Sequence, residues 1–293
     1  MQDVFAYINA YDVRSDFQDA TNYLRKVVDE CGREDFLRLV LRIGIIPELL
    51  KRDSSQEKLF SKLSELVLAR AFFLLGFDAE VVQKRSDSAD VVAKSRFWNY
   101  SLVADAKFFR LSRTAKNQKD FKIRSLAEWR KNESAEAAVL VAPYYQYPIR
   151  ESQVFRQAMD ANVCLFTWET LYFLIQKSAC ENGDLSLRPI WDFSKRRGDV
   201  CMHKDSKNNF LADICSFVAQ LCKVDFNEWS TTLAQCREAT LRRGQDEIDS
   251  LNREIAALGR LSRAEILERL IASLGLRNNV KTIQTYLLRL ENI

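Results

Sequence analysis

Histidine is nearly absent from this chain. Its 293 residues contain one, His203, in the polar stretch DVCMHKDSKNN. That scarcity excludes zinc sites built on several imidazoles and leaves a Ser-His-Asp triad a single residue to draw on. A surface-loop histidine fits such neighbours better. Glycine (8) and proline (4) are also scarce, which argues against long flexible linkers. No run of about 18 apolar residues occurs, so no membrane span is expected. The N-terminal MQDVFAYINAYD has no basic region ahead of an apolar one, so it does not read as a secretory signal. Seven cysteines stand at 31, 164, 180, 201, 215, 222 and 236, an odd total without a C-x-x-C pair. Reduced thiols in a cytoplasmic protein are expected, not a disulfide framework.

What is present is globular in composition, 47% hydrophobic and 29% charged, and long enough for one large domain or two ordinary ones. The net charge is +4, unevenly spread. Residues 102–131 hold nine Lys or Arg against three acids, a net +6, so the remainder carries −2. A local patch on a near-neutral chain fits a polyanion site, although a solvated helix face is an equal reading of charge alone.

The segments FQDATNYLRKVV and EDFLRLVLRIG read as helices, and IGIIPELLKRDSS as a connection broken at Pro47. Ser54 and Glu57 have capping-box spacing ahead of EKLFSKLSELVLARAFFLLG, a helix expected to stop at Gly76. Glu65 stands alone in its apolar stretch. AEVVQKR, ADVVAKS and YSLVADAK read as adjacent strands, residues 114–131 as helix, and AAVLVAP and NVCLFTW as two further strands. Helices are expected over SQVFRQAMD and WETLYFLIQK, and only helix from about 207 onward. There Leu241, Ile248, Leu251, Ile255 and Leu258 follow heptad-like spacing. The order predicts an α/β fold, a mixed β-sheet core flanked by helices with an additional all-helical C-terminal region. The expected divisions are an N-terminal helical region (1–55), an α/β core (56–180) and a helical C-terminal region (181–293).

Three Asp-x-Lys triplets occur, at Asp105–Lys107, Asp120–Lys122 and Asp205–Lys207. Only the first ends an extended run, where residues i and i+2 point to one side. Asp90, in SADVVAKS, can meet Asp105 if the two runs are antiparallel neighbours. Two such carboxylates repel unless a cation lies between them, and hard oxygen ligands suit Mg2+. Lys107 can stabilise charge on a phosphorane or orient water, and Glu65 can add an acid if its helix packs on the sheet. This is the pattern of the PD-(D/E)xK nucleases, with Ala89-Asp90 where Pro-Asp is usual. A salt-bridged pair that merely ends a strand is the competing reading, against which the basic stretch weighs.

Three stretches, IGIIPELLKRDSSQEKLFSK, LVADAKFFRLSRTAKNQKDFK and VAPYYQYP, are similar to the HindIII family of type II restriction endonucleases. LFTWE and NNFLADI match more loosely. The resemblance implies a Mg2+-dependent homodimer, with two ions per active site, that hydrolyses double-stranded DNA at a palindromic hexanucleotide, AAGCTT, beside a cognate DNA methyltransferase. It implies Asp90, Asp105 and Lys107 at the catalytic positions, with Asp90, Asp105 and the Ala106 carbonyl as metal ligands. It also implies DNA reading by Ala115, Asn117 and Asp120. Asn can pair with adenine and Asp can accept from the cytosine amino group. Arg110, Arg113, Lys116, Lys119 and Lys122 are expected to hold phosphates. A repair or junction-resolving nuclease on the same core, and a non-catalytic DNA-binding protein with a relic site, are the alternatives.

Overall fold

The structure, a computed structural model, describes residues 4–12, 14–83, 88–113, 118–200 and 207–274, with positions 277, 280, 281 and 284 beyond them. It divides into two compact units, residues 1–241 and 242–293. No helix among the described residues is long and apolar enough to cross a membrane.

The first unit opens with α1 (Val4–Asn9), α2 (Phe17–Glu30) and α3 (Arg33–Ile43), followed by the long α4 (Ser55–Leu74). Ser54 caps α4 by accepting from the Glu57 N–H, but the Glu57 carboxylate accepts from the Asp53 N–H rather than that of Ser54, so the expected capping box forms only in half. The helix is buried nearly all round, the mark of a core helix rather than a surface one. It packs on the first three strands, β1 (Phe77–Val81), β2 (Val91–Ser95) and β3 (Ser101–Ala106). Gly76, at φ 96°, turns the chain from α4 into β1. A Cβ there would lie 2.9 Å from the Glu181 carbonyl oxygen.

After β3 come α5 (Gln118–Phe121), α6 (Ile123–Asn132), β4 (Ala137–Ala142), α7 (Gln153–Ala161), β5 (Cys164–Thr167) and α8 (Trp168–Gln176). The sheet order is β1-β2-β3-β4-β5, antiparallel across the first three strands and parallel across the last three. This is the mixed α/β sheet that the sequence predicts. Every residue of β4 is buried, which requires cover on both faces. Helix α6 packs on β3 and β4, and α7 and α8 on β5.

Three details differ from the sequence reading. The first strand begins at Phe77 rather than Ala79, because the Phe77 ring is buried against Phe72, Tyr100 and Trp191. The helix expected over 114–131 is broken at Lys122, which takes a left-handed conformation (φ 46°) between α5 and α6. Two unread helices, α9 (Arg188–Trp191) and α10 (Phe193–Val200), lie in a charged stretch with Pro189 and Gly198 and little apolar period.

Helices α11 (Lys207–Leu221) and α12 (Phe226–Leu258) follow, and the division between units falls within α12. The second unit continues with α13 (Arg263–Ser273), capped reciprocally by Ser262 and Glu265. Within this unit Glu254 pairs with Arg269 and Arg243 with Glu247. Several of its large apolar side chains, among them Ile248, Leu251, Ile255, Ile266 and Leu270, are exposed.

Candidate active site

The β2–β3 pairing fixes where the acids fall. Val91 lies opposite Ala104, and the Asp90 N–H donates to the Ala104 carbonyl. Asp90 itself lies just before that paired stretch, and it lines one cavity with Asp105, close enough for their charges to interact. One Asp90 oxygen accepts from the Ala106 N–H at 2.7 Å. The Lys107 ammonium lies against Oδ2 of Asp105 as an ion pair. Oδ2 is fully covered, and the Lys107 ammonium is its partner there. The backbone of Lys107 is pinned from both sides. Its N–H donates to Val141 at 2.7 Å, and its carbonyl accepts from the Trp168 indole at 2.9 Å.

Glu65 projects from α4 toward the same acids and pairs with Lys62 at 2.7 Å. Burial pushes the Glu65 carboxyl above the ordinary range, and the Lys62 contact opposes that shift. Burial also pushes Asp90 well above the usual aspartate range, and the charges of Asp105 and Glu65 push it further. Lys107 and the Ala106 N–H pull the other way without cancelling the effect. The cluster therefore holds more negative charge than its own donors satisfy.

Asp90, Asp105 and Lys107 line an open cavity of about 340 Å3, together with Arg113, Asp120 and Lys122. The chemistry of this donor set fits a hard divalent cation. Among the described residues no three His, Cys, Asp or Glu side chains are arranged to hold an ion by themselves. The protein's share would be two carboxylates and the Ala106 carbonyl, leaving other positions to water and phosphate oxygens. The structural observation that supports this fit is the gathering of three interacting carboxylates, Asp90, Asp105 and Glu65, against two ammonium groups, Lys62 and Lys107.

Comparison with known proteins bears on what such a site does. The model of the HindIII restriction endonuclease family matches residues 6–286. The chain belongs to the HindIII restriction endonuclease family. A type II restriction enzyme HindIII of Haemophilus influenzae is 39% identical over 272 residues, covering 93% of this chain and 90% of that protein. A solved structure of the restriction endonuclease FokI bound to DNA aligns at 15% identity and TM-score 0.31, covering 63% of this chain and 33% of that one, a likeness too slight to bear on function.

Within this HindIII-family chain, Asp120 is paired with Arg113 at the mouth of the cavity. Lys119 and Lys122 border an adjoining hollow beside α6. Arg110 differs in kind from these. Its guanidinium is buried and donates to the carbonyls of Pro47 (2.6 Å) and Glu48 (3.2 Å) and to Oε1 of Glu57 (2.8 Å). Ala115, Lys116 and Asn117 lie outside the described residues. The sequence reading missed the Trp168 brace and the attachment of Arg110 to Glu57. The capping spacing identified Glu57 only as a helix cap, and a contact between residues 57 and 110 leaves no local signature.

Proposed function

We propose that this restriction endonuclease hydrolyses double-stranded DNA in a Mg2+-dependent reaction at a palindromic hexanucleotide, AAGCTT, as a homodimer. The observation that carries the reading is the Asp90–Asp105–Lys107 cluster in a cavity that also presents Arg113 and Lys122. Asp90, Asp105 and the Ala106 carbonyl would hold the metal. When bound, Mg2+ supplies Lewis-acid polarisation of the phosphate and a more acidic water. Lys107, a compact cation held against Asp105, stabilises charge developing on the phosphoryl oxygens and orients the attacking water. Glu65 adds an acid beside them. Arg113 and Lys122, which line the cavity, would hold phosphates, and Asp120 would accept from a cytosine amino group once Arg113 releases it.

A two-fold site calls for a two-fold enzyme. In the second unit the exposed Ile248, Leu251, Ile255 and Leu258 recur at intervals of three and four along α12, the spacing of a helix seam. That face supports pairing with a second copy. The family reading also implies a companion methyltransferase that protects the host's own sites.

The test is a plasmid digest with and without Mg2+, with the fragment ends sequenced. Ends confined to AAGCTT, and only with Mg2+, are expected. Cutting without the metal, or a preference for branched over linear DNA, would overturn the reading. Asn117→Ala should relax or abolish selectivity in the same assay.

A further inference from the structure

The chain that leaves the catalytic strand is attached to the rest of the molecule at three successive points. Phe109 bridges Ile45, its N–H donating to the Gly44 carbonyl and its carbonyl accepting from the Ile46 N–H. Arg110 follows, buried, with one guanidinium nitrogen on the carbonyls of Pro47 and Glu48 and another on Glu57. Ser112 comes next, donating through its N–H (2.8 Å) and hydroxyl (2.7 Å) to the two oxygens of Glu48. Arg113 then faces the cavity that holds Asp105.

We infer that Arg110 is a positioning residue, not a phosphate contact: with Glu57 and Glu48 it fixes the segment between Lys107 and Arg113, so that DNA held by Arg113, Asp120 and Lys122 sets the geometry at Asp105 and Lys107. The inference rests on the endonuclease reading above.

Two physical points support it. A guanidinium that satisfies two carbonyls and a carboxylate in a buried setting is already committed, and withdrawing it to meet a phosphate would leave Glu57 and both carbonyls short of a donor. The clamp also joins the parts that must act together. Glu57 stands in the first turn of α4, and Glu65 lies about 12 Å further along the same helix. The other oxygen of Glu57 accepts from the Asp53 N–H at 2.6 Å, so the carboxylate is held at both ends. Asp120 is ion-paired with Arg113, the neighbour of the attached Ser112, so a shift of Asp120 by bound DNA bears on a braced segment. Arginine suits the task because its planar fork addresses several acceptors at once, which lysine cannot.

The full-length protein tests this with Arg110→Met, Arg110→Lys and, as a comparison, Lys122→Met. Binding to a duplex carrying AAGCTT is measured in Ca2+ over a range of salt, and cleavage in Mg2+ on that duplex and on single-base variants of it. Lys122→Met should lower the salt slope by about one. Arg110→Met should leave the slope unchanged, yet slow cleavage at saturating DNA by about 100-fold, the scale on which misplaced groups act. Its ratio of cognate to variant cutting should fall as well, with Arg110→Lys intermediate. If Arg110→Met fails to fold, Ser112→Ala and Glu48→Gln release the neighbouring attachment and should show the same pattern more mildly. A slope lowered by about one, with full cleavage at saturation, would make Arg110 a phosphate contact and overturn the inference. A lowered melting temperature, with cleavage rate and selectivity unchanged in the folded fraction, would overturn it too by reducing the clamp to a brace. Wild-type protein that fails to cut with Mg2+ would instead sink the endonuclease reading.

Discussion

The two ends of the β2–β3 hairpin treat buried carboxylates in opposite ways. At the turn end Glu181 is nearly fully buried and fully served. Its carboxylate accepts from the hydroxyls of Ser95 and Tyr100 and, at 3.0 Å, from the Leu187 N–H, while the Trp191 indole supports Tyr100 at 3.2 Å. At the open end Asp90 and Asp105 line one cavity, Asp105 against the Lys107 ammonium, with Glu65 adding a third negative charge. An acid that only holds a fold is surrounded by donors. Acids gathered close enough to repel one another are a place prepared for a cation.

That contrast can be broken in three places. The largest effect belongs to the open end. Asp105→Asn should reduce Mg2+-dependent cleavage by at least about 10^3-fold, roughly 4 kcal/mol of transition-state stabilisation, while DNA binding persists. Retained cutting would show that the Asp105 carboxylate has no part in the chemistry. At the turn end Glu181→Ala should do the reverse. It strands two hydroxyls and a backbone N–H, a loss of about 3 kcal/mol in a denaturant titration, with cleavage per folded molecule unchanged. The smallest effect is the dependence of stability on pH. Asp90 is shifted upward, so the folded metal-free protein binds its proton more tightly than the unfolded chain does. Its contribution is present below the ordinary aspartate value of about 4 and is lost as pH rises through the shifted value. Melting curves across that window should fall less steeply for Asp90→Asn, and a divalent cation should flatten the wild-type curve. Identical curves for the two proteins would mean the repulsion is not felt.

Much of this was legible in the sequence because it is local. The alternation in YSLVADAK places Asp105 and Lys107 on one side, and the polar break between ADVVAKS and YSLVADAK makes the antiparallel pairing that brings Asp90 to the same cavity. Ser54 and Glu57 announce the start of α4. The rest depended on partners far apart in the chain. Nothing near Arg110 reveals that Pro47, Glu48 and Glu57 claim its guanidinium, so its charge reads as one more cation in a basic run. Glu181 looks like any surface acid in ACENGDL until the fold brings Ser95 and Tyr100 to it. Lys122 interrupts a continuous helical pattern because its left-handed backbone is imposed by packing around Phe121 and Ile123, both buried.

Gly44 gives the braced segment a weak point of an unexpected kind. A methyl group there would stand 2.7 Å from the Pro143 ring and 2.9 Å from the Trp168 indole, the same indole that holds the Lys107 carbonyl. Gly44 also receives the N–H of Phe109, so crowding at this position would press on both supports of the catalytic lysine together. A screen for altered fidelity that sampled only charged or groove-lining positions would pass over this small, uncharged one.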